Sequence, residues 1–170
     1  MERYTHIQMP HIQLLRIIEF EKIASLFRDS DKRHVRNLVE FLIDKNSSEL
    51  FLGGSVIDPT KPLEYEDVDL LAVYNEEQNR LNDFQRLTKY GPKRITPTGI
   101  NARELQIGKS TYFVKLNSGV QQYLNMDIDQ SFLLEPFRES PSLGVIAFGS
   151  PIELCLSSKN KFEQKYKRLE

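Results

Sequence analysis

The sequence predicts an α+β fold, a mixed β-sheet with helices packed on it. Three observations carry this expectation. Apolar residues recur every three or four positions through much of the first 45 residues, the period of an amphipathic helix. "VDLLAVY" at 68–74 is a nearly continuous apolar run of strand length, as expected of a strand buried on both faces. "STYFVKLNSGVQQYLNMDI" at 110–128 reads as two β-rich arms around Asn117, Ser118 and Gly119, a hairpin signature.

Taken in order, "IQLLRIIEFEKIASLF" at 12–27 has helical spacing. "RDSDK" interrupts it and offers Asp29, Ser30 and Asp31 as N-caps for a second helix over "KRHVRNLVEFLIDK". There Val35, Leu38, Val39, Leu42 and Ile43 share a face. "LFLGGS" is a short strand closed by glycines, and "VDLLAVY" is the next strand. "NEEQNRLNDFQRLTKY" supports a helix through Leu81, Phe84 and Leu87, ended by Gly91 and Pro92. The segment 93–108 has mixed signals and receives no assignment. After the hairpin, a strand is expected near Val145 to Phe148, then a turn at Gly149, Ser150 and Pro151. The tail, rich in lysine, reads as a charged and weakly amphipathic helix. The organisation is one domain: N-terminal helices over 1–46, a central core over 47–152 and a charged helix over 153–170.

At 170 residues such a chain buries roughly two-thirds of its unfolded surface. A hydrophobic content of 39% and a charged content of 28% are those of globular proteins and exclude wholesale disorder. The formal net charge of -1 gives no general attraction to nucleic acid or to acidic membranes. Cys155 is the only cysteine, which excludes an internal disulfide and a thiolate metal cluster; it reads as a small buried hydrophobe. The opening "MERYTHIQMPHIQ" lacks the basic, apolar, small-residue order of a signal peptide. No apolar run approaches the roughly 20 residues of a membrane span. A cytoplasmic protein without membrane contact is the expectation.

The chemistry concentrates in "LGGSVIDPTKPLEYEDVDLLAVY" at 52–74. Side chains alternate along a strand, so Asp67 and Asp69 point to the same side. Two carboxylates so placed repel unless a cation lies between them. Magnesium suits them, because it takes oxygen ligands and is held by one or two carboxylates together with substrate phosphates. "GGS" just upstream lets the backbone approach a phosphate, with exposed N–H groups and a serine hydroxyl to cradle it. A third acidic element is "YLNMDIDQSF", where Asp127 stands between Met126 and Ile128; Asp129 shares its face by alternation.

The order apolar-Gly-Gly-Ser, a loop, Asp-apolar-Asp-apolar and a later apolar-Asp-apolar strand resembles the DNA polymerase beta-type nucleotidyltransferase superfamily. It is most similar to the small single-domain members. Ser55 precedes Asp67 by twelve residues, within that pattern's latitude, and the resemblance spans about 50–130. It implies a nucleotidyltransferase-like fold and transfer of a nucleoside monophosphate from an NTP to a hydroxyl acceptor on a protein, an RNA end or a small molecule. It also implies that Gly54 and Ser55 hold the nucleotide phosphates. Asp67, Asp69 and Asp127 would bind magnesium, two ions when nucleotide is present, with Asp129 as the alternate third ligand.

Many small members carry Arg-Gly after the serine and a serine before the first aspartate; this chain has "VIDPTK" and, directly before Asp67, Glu66. Lys61 is the loop's candidate phosphate-binding cation. The same departures point to an alternative of another class, a nucleotidyltransferase-like binding module with weak or no catalysis, such as an antitoxin-type partner of another protein.

Other signals are set aside. "IGKSTYF" is no P-loop, because Arg103 stands where the motif requires glycine. His6, His11 and His34 have no acidic cluster beside them in sequence and are expected at the surface. The basic tail residues Lys159, Lys161, Lys165, Lys167 and Arg168 read as a solvated helix face, with contact to RNA or an acidic partner as the alternative.

Overall fold

The computed structural model describes residues 1–43, 48–88, 93–95, 101–116, 142–146 and 152–169. Within them the chain forms ten strands, three α-helices and three short 3-10 turns. The strands are β1 Arg3–His6, β2 Gln13–Ile17, β3 Ser48–Gly53, β4 Val68–Tyr74, β5 Lys93–Ile95, β6 Asn101–Ile107, β7 Ser110–Leu116, β8 Ser142–Ile146, β9 Ile152–Ser158 and β10 Tyr166–Arg168. The helices are α1 Asp29–Ile43, α2 Glu77–Thr88 and α3 Lys159–Lys165. All ten strands join one sheet in the order β10-β1-β2-β3-β4-β9-β8-β7-β6-β5. Every pairing is antiparallel except β4 with β9, which is parallel. The α+β class and the mixed sheet are thus as expected.

Both faces of the sheet centre are covered, which explains why β4 reads as a continuous apolar run. On one face, Leu50, Leu52, Leu70, Ala72 and Leu154 pack with Val35, Leu38 and Leu42 of α1 and Phe84 and Leu87 of α2. On the other, Leu14, Phe51, Leu71 and Cys155 meet Phe162 of α3 and Tyr166 of β10. Phe162 stacks on Phe51 at 4.6 Å between ring centroids. Cys155 is fully buried, as expected. No helix among the described residues is long and apolar enough to cross a membrane.

Four expectations need correction. The N-terminal helix over 12–27 is not formed: Gln13–Ile17 is a strand, and Phe20–Lys22 and Ala24–Leu26 are separate 3-10 turns. Leu14 faces one core while Leu15 and Ile17 face the other. A strand buried on both faces therefore places apolar residues at spacings that also satisfy a helix. The second helix forms where expected, but Asp29, Ser30 and Asp31 lie inside its first turn rather than capping it. The charged helix assigned to 153–170 is only Lys159–Lys165, flanked by β9 and β10; Ser158 caps it, its side chain accepting from the Lys161 N–H. Two histidines expected at the surface are buried. His6 Nδ1 accepts from the N–H groups of Gln8 and Met9, closing the β1–β2 turn. His34 Nδ1 lies 2.9 Å from the Tyr112 hydroxyl. His11 is exposed.

The unassigned segment 93–108 contains β5 and β6. Strand β7 forms where the first hairpin arm was expected, and among the described residues its hairpin partner is β6, across Gly108 and Lys109. The turn at 117–119, the second arm and the turn at 149–151 lie outside the described residues. The strand expected near Val145 to Phe148 is β8, Ser142–Ile146.

Candidate metal centre

The glycine turn is built by the end of β3. Gly53 pairs with Asp69 of β4, and the chain then enters a 3-10 turn over Gly54–Ile57. Val56 is buried and anchors this turn, leaving Gly54 and Ser55 exposed. Gly54 has φ +74, left-handed backbone that glycine adopts without steric cost. A Cβ here would overlap Asp69 Oδ2 and stand 3.2 Å from its Cγ. The Asp69 carboxylate fills the space a side chain at 54 would need, so two separate constraints require glycine.

The acids come from the ends of neighbouring strands. Asp69 is the second residue of β4, and Glu153, the second residue of β9, is its partner in the parallel ladder. Asp67 lies just before β4. One carboxylate oxygen from each of Asp67, Asp69 and Glu153 falls within 4.8 Å of the other two, and all three residues are half-buried. The expectation that Asp67 and Asp69 share a side is met. By alternation Asp69 and Glu153 continue the face lined by Leu71, Val73 and Cys155.

Crowding has an electrostatic consequence. Burial, the Asp67 carboxylate and then Glu153 push the Asp69 pKa up to about 7. Desolvation and like charges both disfavour the ionised form. An all-oxygen set of this charge is the donor chemistry that hard divalent cations such as magnesium or manganese take, and a bound cation would relieve the repulsion. Asp67, Asp69 and Glu153 therefore fit such an ion.

Of the expected site residues, the structure brings Gly54, Asp67 and Asp69 together, with Ser55 next in the chain. Asp127 and Asp129 lie outside the described residues. Lys61 is exposed on the intervening loop, where its N–H donates to Asp58 O; among the described residues its ammonium forms no ion pair. Glu66 is exposed. The residue that sequence reasoning missed is Glu153. Its signal was the same as that used for Asp127, a carboxylate inside an apolar run, here "IELCL". It was passed over because the preceding Gly-Ser-Pro drew the segment into a turn.

Compared with family models, with curated proteins and with solved structures, the chain finds no match.

Proposed function

We propose that this chain is a divalent-metal-dependent nucleotidyltransferase of nucleotidyltransferase-like fold, moving a nucleoside monophosphate from an NTP to a hydroxyl acceptor. The observation that carries the reading is the convergence of Asp67, Asp69 and Glu153 within 4.8 Å directly against the Gly54 turn. The sequence resemblance rests on the same Gly54, Ser55, Asp67 and Asp69 and implies Asp127, outside the described residues, as third carboxylate; Glu153 takes that place in this reading.

In this reading Asp67, Asp69 and Glu153 would hold magnesium, which when bound would supply charge neutralisation on the triphosphate and a lowered pKa for the acceptor hydroxyl. The exposed Ser55 hydroxyl and the backbone of its turn receive phosphate oxygens. The acceptor oxygen bonds to the α-phosphorus as the bond from that phosphorus to the β-phosphate oxygen breaks, releasing pyrophosphate. Glu153, one strand beyond Asp69, is the carboxylate assigned to accept the hydroxyl proton. Positioning and fixed charge do most of this chemistry.

The loop favours a second reading. Glu64 and Glu66 are exposed there, and Lys61 is its one cation among residues 56–66, so a triphosphate meets added negative charge. A metal-binding module that recruits a protein partner, of the antitoxin type, would tolerate such a loop.

Calorimetry with Mg²⁺ and each NTP, followed by label transfer from α-³²P-NTPs into cell extract, separates the two. The enzyme reading expects millimolar or tighter nucleotide binding and metal-dependent labelling that Glu153→Gln lowers at least 100-fold. Cation binding without any nucleotide binding would exclude the enzyme and leave the module.

A further inference from the structure

Two of the three clustered carboxylates are placed by the sheet. Asp69 and Glu153 are ladder partners, and Asp69 is also held opposite Gly53. Asp67 has no such support, because it precedes the first paired residue of β4, Val68. It is also pushed outward, since its charge faces Asp69 and Glu153. Something else must set where it stands.

The chain supplies an anchor two residues upstream. Tyr65 is 2% exposed and is gripped at both ends by the start of α1. Its hydroxyl donates to Asp31 Oδ2 and accepts from the Arg28 N–H at 2.9 Å. Its carbonyl accepts from Arg28 Nη2 at 3.0 Å. The Arg28 guanidinium lies over the Tyr65 ring, 4.2 Å from its centroid, and also pairs with Asp31 at 3.4 Å. Phe27 meets the ring edge-on at 6.4 Å. Asp67 is thus held between two fixed points, Tyr65 below it and Val68 above.

We infer that Tyr65, with Arg28 and Asp31, is the positioning group that holds Asp67 in the acidic cluster and thereby sets its cation affinity. This rests on the metal-site reading above. Only Glu66 separates Tyr65 from Asp67, a reach of at most ~7 Å, so slackening the anchor frees the carboxylate to swing toward water. The clamp acts on the site through Asp67. It also ties the N-terminus of α1, on one side of the sheet, to a site at the sheet's end.

The test is Mn²⁺ binding followed by electron paramagnetic resonance, with melting temperature measured on the same metal-free samples. Tyr65→Phe keeps the ring contacts and removes only the hydroxyl. The expected result is about tenfold weaker Mn²⁺ binding with the melting temperature within a few degrees of wild type. Asp31→Asn retains an oxygen acceptor for the hydroxyl and is expected to bind within threefold of wild type, whereas Asp31→Ala weakens as Tyr65→Phe does. Arg28→Ala, at a part-exposed side chain, gives the same direction of change should the buried variants fail to fold. Wild-type binding together with unchanged binding in Tyr65→Phe and Arg28→Ala would overturn the inference and leave the metal site standing. Wild-type protein that binds no Mn²⁺ would overturn both.

Discussion

Gly54→Ala is expected to abolish cation binding at the acidic cluster and to lower the melting temperature by several degrees. Two effects combine. At φ +74 an alanine incurs left-handed strain of about 1–2 kcal/mol, which for a chain of this length corresponds to roughly 2–8 °C. The new Cβ would also occupy the position of Asp69 Oδ2. The carboxylate must rotate away, and rotation takes it out of the group it forms with Asp67 and Glu153. Gly108→Ala separates the two effects. Gly108 has φ +59 and nothing within 4 Å of a Cβ added there, so this variant carries the strain without the collision. Its melting temperature should fall similarly while its Mn²⁺ affinity stays at the wild-type value. If Gly54→Ala binds Mn²⁺ as wild type does, the close approach of turn and carboxylate has no part in cation binding.

The same residues show why the sequence was legible in some places and not in others. Strand β4 was readable because a central strand with both faces covered leaves an uninterrupted apolar run, and Asp67 and Asp69 stood out against it. The glycine turn was readable because Gly-Gly-Ser is strong local punctuation. Strand β9 was not, although it is the parallel partner of β4 and contributes Glu153. Parallel pairing joins segments far apart in sequence, and no local signal announces it. The Gly149–Pro151 turn signal then absorbed the strand that follows. Strand β2 failed for the opposite reason, since two-sided burial produced a pattern with helical spacing. Tyr65 was invisible as an anchor, because a tyrosine inside an acidic loop gives no hint that its hydroxyl will meet Asp31, 34 residues away along the chain.

Asp69→Asn is expected to make the metal-free protein more stable at pH 8 while reducing cation affinity at least 100-fold. The sign follows from linkage. The folded chain holds the Asp69 pKa at about 7, against 3.8 for the unperturbed group. Below both values the proton is bound in folded and unfolded chains alike, and Asp69 adds no pH dependence. Between them the unfolded chain has released a proton that the folded chain keeps, so stability falls as pH rises. Above pH 7 the penalty is constant. A half-buried group is partly screened by solvent, so the loss is on the order of 2 kcal/mol rather than the full value of the shift.

The asparagine variant lacks this titration. Its unfolding free energy should match wild type near pH 3 and exceed it by pH 8, read by urea denaturation in the presence of a chelator. Cation binding in the wild type displaces the same proton, so Mn²⁺ affinity should fall about fivefold from pH 7 to pH 6 and change little above pH 8. Saturating Mn²⁺ should restore the wild type at pH 8, by about 2.7 kcal/mol at a hundred times the dissociation constant. It should leave Asp69→Asn unmoved. Equal stability of wild type and variant at pH 8 without metal would mean that the three carboxylates do not strain the fold. On the proposed reading, a sheet that accepts such strain at its central strands gives up stability for a site that a cation would complete.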